Sequence, residues 1–318
     1  MHSNSPHIIR RGLTAPPGTK PNDLTMKQTF TYLSLAAGLL LAGCVVQKTE
    51  NQPVELTFNP VISADTRVDE AVPFPQNRSF NIWAIDSKGK LFLDDMPVAN
   101  TFGTWNSGEN WPDSQLSFIA YWPQDLAPEF SISGGMTIRD FHCVPSVETD
   151  ILVAECDAEK DNDSAVSLPF EHLLSRVDFR VANSLPEGVE TVLKKIEFLG
   201  FANVGSWNAD GNRTWSVAAA DNNYIVYDSA EGMSPEREAK YIGNDFYTIP
   251  QPCNSRIRIT FDMRLVGEAW ITDQEMETEA ITTVWESGKQ YTYTLTIRDQ
   301  KLSCTTGISN WNNRNSNL

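Results

Sequence analysis

The sequence predicts an all-β protein built as two β-sandwich domains in tandem. Three observations point there. Short segments with alternating apolar and polar residues recur along the chain, turn-forming residues separate them, and no long stretch carries the 3.6-residue apolar period of a helix. Alternation sends every second side chain to the same face of a strand, which suits sheets that bury one face against a partner layer.

Taken in order, VELTFNPVIS opens the pattern with Val54, Leu56 and Phe58 on one face. RSFNIWAID (78–86), SQLSFIAYWP (114–123), MTIRDFHCV (136–144) and DILVAEC (150–156) follow. After them come RVDFRVA (176–182), KKIEFLGFA (194–202), YIVYD (224–228), DFYTIP (245–250), SRIRITFDMRL (255–265) and QYTYTLTIRD (290–299). SWNADGNRTW reads as a hairpin, because Asp210-Gly211 supplies the positive φ angles of a tight turn. EHLLSRV is the one place where a helical turn is expected, and NSLPEGVE (183–190) is the best linker. The expected sandwiches therefore cover 54–182 and 183–318.

The front of the chain has a different character. Met26 and Lys27 begin a secretory signal: one positive charge, then an apolar core from Tyr32 to Leu41, too short to span a membrane, which takes about 20 residues. Leu41-Ala42-Gly43-Cys44 resembles the lipobox of bacterial lipoproteins, which implies lipidation of Cys44 and cleavage just before it. Residues 1–25 have no periodicity and read as an untranslated or mis-called start. The segment 26–43 is the lipoprotein signal peptide, and 44–53 is a polar tether. The leader carries four basic residues and one acidic one, so its removal makes the net charge of −16 more negative. Such a chain has no basic stripe for nucleic acid.

Motifs for catalysis or cofactors are absent: no GxSxG, HExxH, phosphate loop or CxxC occurs, so no catalytic residue, cofactor or metal is expected and the protein is not read as an enzyme. His142 and His172 read as structural. The DAEKDNDSA loop alternates Asp157, Glu159, Asp161 and Asp163, yet Asn162 stands where a calcium loop needs glycine and Leu168 where it needs a bidentate glutamate. It reads as a solvated acidic loop. Cys143 and Cys156 flank what looks like neighbouring strands; they form a disulfide, or all four remaining cysteines are buried thiols. Trp105, Trp111 and Trp122 form either a sugar-stacking face or part of a core.

Several stretches together resemble the fimbrillin-type family of type V pilins and their lipoprotein relatives. They are Thr66-Arg67, FIAYWP (118–123), DILVAE (150–155), FEHLLSRVDFRV (170–181), YTIPQ (247–251), GKQYTYTLTI (288–297) and ISNW (308–311). The resemblance implies two transthyretin-like β-sandwich domains in a subunit of an adhesive surface pilus, or fimbria. It implies a precursor held in the outer membrane by its lipid, then trimmed by an arginine-specific protease at Arg67, with Arg78 as the alternative. Trimming would remove the first strand with Val54, Leu56 and Phe58, and another pilus subunit would fill the vacancy by donor-strand exchange. Stalk subunits of the family donate a long C-terminal arm, whereas KLSCTTGISNWNNRNSNL alternates only weakly, so a tip or accessory role is expected. The alternative is a permanently anchored outer-membrane lipoprotein that binds glycan or a host ligand.

Overall fold

Each alternating segment read from the sequence is a strand in the computed structural model, which describes residues 53–63, 71–144, 150–161, 164–209 and 212–311. The strands begin with β1 (Glu55–Ile62), β2 (Val72–Pro73), β3 (Ser79–Asp86), β4 (Leu91–Thr101) and β5 (Thr104–Asn110). Next are β6 (Leu116–Trp122), β7 (Glu129–Ser131), β8 (Gly135–His142), β9 (Leu152–Ala158) and β10 (Val166–His172). The second half holds β11 (Ser175–Asn183), β12 (Val189–Phe201), β13 (Val204–Asn208), β14 (Trp215–Val217), β15 (Asn222–Met233) and β16 (Lys240–Tyr241). It ends with β17 (Phe246–Thr248), β18 (Pro252–Leu265), β19 (Ile271–Glu277), β20 (Ile281–Val284), β21 (Lys289–Arg298) and β22 (Lys301–Asn310). Among the described residues there is no α-helix.

The helical turn expected at EHLLSRV does not form. His172 ends β10, Ser175 starts β11, and the backbone between them already has partners elsewhere: the Leu173 N–H donates to Ile151 O at 2.9 Å, and its carbonyl accepts from Trp215 Nε1 at 2.9 Å. The hairpin expected around Asp210-Gly211 does form, as β13 and β14 with Trp207 opposite Trp215, although the two turn residues lie outside the described set.

In the first half the sheet runs β10-β9-β6-β3-β4-β5-β1-β2, and a parallel pairing of β1 with β10 closes it on itself. Its interior holds Leu56, Phe58, Phe80, Ile82, Phe118 and Phe170. Strand β3 shows why such a sheet holds a fixed register. Phe80, Ile82 and Ala84 point into this interior while Trp83 points the other way into a second apolar cluster, so a one-residue slip would misplace both faces.

The second half is a two-layer sandwich. One layer is β16-β11-β21-β22 with β17 on β11, and the other is β15-β12-β18-β19 with β20 on β18. Between them lie Phe179, Phe198, Phe246, Ile259, Trp285 and Tyr293. Tyr293 and Trp285 bury their polar ends together, Trp285 Nε1 donating to Tyr293 Oη at 2.9 Å. A small sheet, β14-β13-β8-β7, joins strands from both halves and covers a third cluster that includes Trp83, Tyr121, Met136, Trp207 and Trp311. Strand β11, which the linker reading leaves in the first half, packs Val177, Phe179 and Val181 into the core of the second.

Candidate functional site

Strand β1 is the element that closes the first sheet. Its burial alternates without a break, with Leu56, Phe58, Pro60 and Ile62 inward, so the apolar face begun by Val54 runs the length of the strand. Phe58 meets Phe118 and Phe80 edge-on, at ring separations of 5.7 and 6.3 Å. On one side β1 runs parallel to β10, from Phe58 opposite Val166 to Ile62 opposite Phe170. On the other it pairs with β5 through a register break and then with β2. Packing beside it is incomplete. A cleft of about 540 Å³ opens between β1, β2, β5 and the start of β10, lined by Phe58, Pro60, Phe74, Gly103 and Trp105. In the β4–β5 turn, Phe102 sits at φ 54° with its side chain fully exposed.

Of the trimming positions, Arg67 lies outside the described residues, as does Cys44. Arg78 is exposed just before β3, in a turn closed by its own N–H donating to Pro75 O at 3.1 Å, and its guanidinium lies 6.0 Å from the Trp122 ring.

The tryptophans do not form a stacking face. Trp105 and Trp111 are 7% and 6% exposed and belong to the first core. Trp105 packs edge-on against Phe74 at 5.5 Å, and Trp111 against Phe118 at 6.1 Å. Trp122 is half-buried against the same core. The pairing of the strands decides this, since it places all three rings against the same apolar interior. The exposed apolar group lies at the β18–β19 hairpin, where Leu265, Val266, Trp270 and Ile271 all face solvent and Arg264 stacks over Trp270 at 4.3 Å. The signal was legible as apolar residues crowded around Gly267, where a turn is ordinarily polar.

Of the two alternatives for Cys143 and Cys156, the structure has the thiols: all four described cysteines are free, Cys143 and Cys253 buried and Cys156 and Cys304 partly so. Cys143 follows β8, in the small sheet, and its Sγ donates to Tyr247 O at 2.9 Å, whereas Cys156 lies in β9 against the first core. The strands that carry them belong to different sheets, so closeness in sequence did not become closeness in space. Burial pushes the Cys143 thiol up to about 12 and the Cys156 thiol to about 11. An unfolded thiol ionises near 8.5, so above that pH the unfolded chain loses protons that the native chain keeps. Stability should therefore hold level up to about pH 8.5 and fall as pH rises toward 12. Urea midpoints measured from pH 7 to 10.5 test this, and a midpoint that rises across that window contradicts it.

Of the two histidines among the described residues, His142 is exposed at the end of β8. His172 is buried, and its Nδ1 makes a short contact with the carboxylate of Asp150, which also accepts from the Ile151 N–H at 2.8 Å. The imidazole lies flat on Trp311, ring centres 4.1 Å apart, and Trp311 in turn packs on Tyr247. The pair belongs to the packing that holds the end of β22.

These features define an all-β chain in which the first strand completes a sheet that the rest of the chain leaves open. The chain belongs to the fimbrillin-like family, whose model matches residues 66–311. Among solved structures it is similar to a fimbrial protein from Bacteroides vulgatus, at 16% identity and a TM-score of 0.61 over 80% of this chain and 99% of that one. It is also similar to a candidate cell adhesion protein from Bacteroides uniformis, at 13% identity and a TM-score of 0.54 over 81% and 99%. A candidate cell adhesion protein from Bacteroides ovatus gives 15% identity and a TM-score of 0.52 over 81% and 98%. At such identities the likeness is one of fold. No curated protein matches the chain.

Proposed function

We propose that this protein is a non-enzymatic subunit of an adhesive surface pilus, exported as a precursor lipidated at Cys44 and assembled by strand exchange after cleavage at Arg67. The observation that carries the proposal is the position of β1. It closes a sheet between β10 and β5, and the chain then passes through Thr66-Arg67 before the next described strand. Cleavage there would free β1 and leave β10 and β5 with unpaired edges over an apolar groove, a template that a neighbouring subunit's strand fills. The family match also begins at Thr66, downstream of β1. In this proposal the chain forms two transthyretin-like domains that meet near Leu173 and Leu174, where it leaves the first core for the second.

A tip or accessory position fits the C-terminal strand. Strand β22 pairs with β21 over its whole length, and Trp311 is fully buried behind it, so this strand is built into its own domain and is not a free arm. The N-terminus and mass of the protein taken from its native envelope test the proposal. A chain starting at Val68 without lipid is expected. An acylated chain starting at Cys44, with nothing shorter, overturns trimming and supports the second reading, a permanent anchor.

The exposed Trp270 hairpin favours that second reading, since it offers a ligand surface in a different sheet from β1. Trp270→Ala is then expected to lower binding to the cognate surface at least tenfold with an unchanged Tm. Equal binding by both forms removes the hairpin from consideration.

A further inference from the structure

The β4–β5 hairpin breaks a rule of turn chemistry. Thr101 lies opposite Thr104, so the loop has two residues, Phe102 at φ 54° and Gly103 at φ 91°. Positive φ at both positions makes it a type I′ turn, whose first place favours asparagine, aspartate or glycine. Phenylalanine in that conformation is strained, by about 1–3 kcal/mol. The other non-glycine residues at positive φ are Asp95, Ala127, Asp140, Arg213, Asp273 and Gln300, so Phe102 is the one aromatic residue among those described to adopt it. Its side chain is fully exposed, and no packing within the described chain offsets the strain. A ring held out at such a cost is suited to a contact with something outside the chain.

The residues on either side of Phe102 lead into the cleft beside β1. Asn100 and Gly103 line it, together with Asn59 of β1 and Gln76 of the β2–β3 turn. Each of the three carboxamides holds a donor and an acceptor side by side, which is what neighbouring hydroxyl groups require. The side chains of Asn59 and Gln76 make no hydrogen bond with another described residue. That of Asn100 uses only its oxygen, which accepts from the Gly103 N–H at 2.9 Å. Phe74 and Trp105, both nearly buried, add aromatic edges to the lining. No lining residue is charged, in a chain with 41 acidic and 25 basic residues. The volume of about 540 Å³ is that of a small-molecule site.

We infer that this cleft and Phe102 form a binding site for a short, uncharged saccharide. The carboxamides meet its hydroxyl groups, and the Phe102 ring stacks on the C–H face of a sugar. Three features choose this class. A carboxylate, phosphate or amine finds no opposite charge in the lining. A peptide strand docks along an open row of backbone groups, whereas β1 is already paired with β10 on one side and with β5 and then β2 on the other. An exposed aromatic ring beside amides offers an apolar face and polar partners together, as a pyranose does. Because Asn59 belongs to β1, the site is complete in the uncut chain, and the inference does not depend on cleavage at Arg67.

The test probes an array of neutral, sialylated, sulfated and uronate-containing oligosaccharides with the uncut chain. Binding is expected among the neutral ones, and the strongest of these, titrated by calorimetry, should give a Kd of about 1 mM or tighter. Phe102→Asn gives the turn a residue it favours, so Tm should hold or rise while binding weakens about tenfold. A merely structural role for Phe102 would not separate the two readouts in this way. Gln76→Ala, at an exposed position, should weaken binding about threefold with an unchanged Tm. An array without a neutral binder, charged oligosaccharides bound as tightly as neutral ones, or undiminished binding by Phe102→Asn overturns the inference. None of these outcomes bears on trimming, which is read from the N-terminus of the native protein.

Discussion

Cut after Arg67 and separated from its first strand, the protein is expected to lose cooperative unfolding and to regain it when the peptide VELTFNPVIS is supplied. Leu56, Phe58 and Ile62 are each nearly fully buried. Burial of such side chains contributes about 1.5–3 kcal/mol apiece, so the strand supplies roughly 5–9 kcal/mol against a total domain stability of about 5–15 kcal/mol. The cut chain also leaves two sheet edges unpaired where β10 and β5 faced β1. Urea unfolding followed by tryptophan fluorescence, with and without peptide, gives the measurement. Trp105 and Trp111 report on the same core. A peptide with Leu56→Ser and Phe58→Ser should fail to rescue, because it can restore the backbone pairing but not the buried face. If the cut chain alone unfolds at the urea midpoint of the intact one, β1 is not the strand on which the first sheet depends.

Asp150→Ala is expected to cost about 3 kcal/mol, with a fall in Tm of about 6–12 °C. The carboxylate is fully buried and serves both His172 Nδ1 and the Ile151 N–H, and His172 Nε2 has no partner among the described residues. Removing it leaves two buried donors unpaired, at about 1–3 kcal/mol each. The consequence should spread to the C-terminal strand, because the His172 ring supports Trp311, whose backbone N–H donates to Gly288 O at 2.9 Å at the end of β22. Amide exchange at residues 301–311 should therefore quicken more than exchange across β3 and β6. Asp150→Asn, which keeps an acceptor, should lose much less. A loss below 1 kcal/mol for Asp150→Ala would show that the pair is already relieved by water.

The strands that were legible are those with one wet face and one dry face, such as β1 and β21. Strands β4, β5 and β19 escaped because they lie largely at the surface. DDMPVAN and TDQEME contain too few buried positions for any alternation to appear, and their pairing comes from the neighbouring strand. Strand β22 escaped for a related reason. Thr305, Thr306 and Gly307 are exposed and carry no pattern, so β21 decides their conformation.

Among the candidate site residues, Leu56 and Phe58 could be placed from sequence because alternation within one strand is a local property. The tryptophans and cysteines could not. Whether an indole lies in a core or on a face depends on which sheet covers it, and whether two thiols meet depends on which sheets their strands join. His172 and Asp150 are 22 residues apart, and nothing local announces that they touch.

The sequence by itself determined the all-β class, the apolar face of the first strand and an acidic net charge, since each follows from residue spacing or composition. Only the tertiary structure decided that β1 closes a sheet against β10, that Trp105 and Trp111 lie in the first core, and that Cys143 and Cys156 lie apart. Those are pairings between residues distant in the chain, set by which apolar faces can be buried together and which backbone groups remain to be paired.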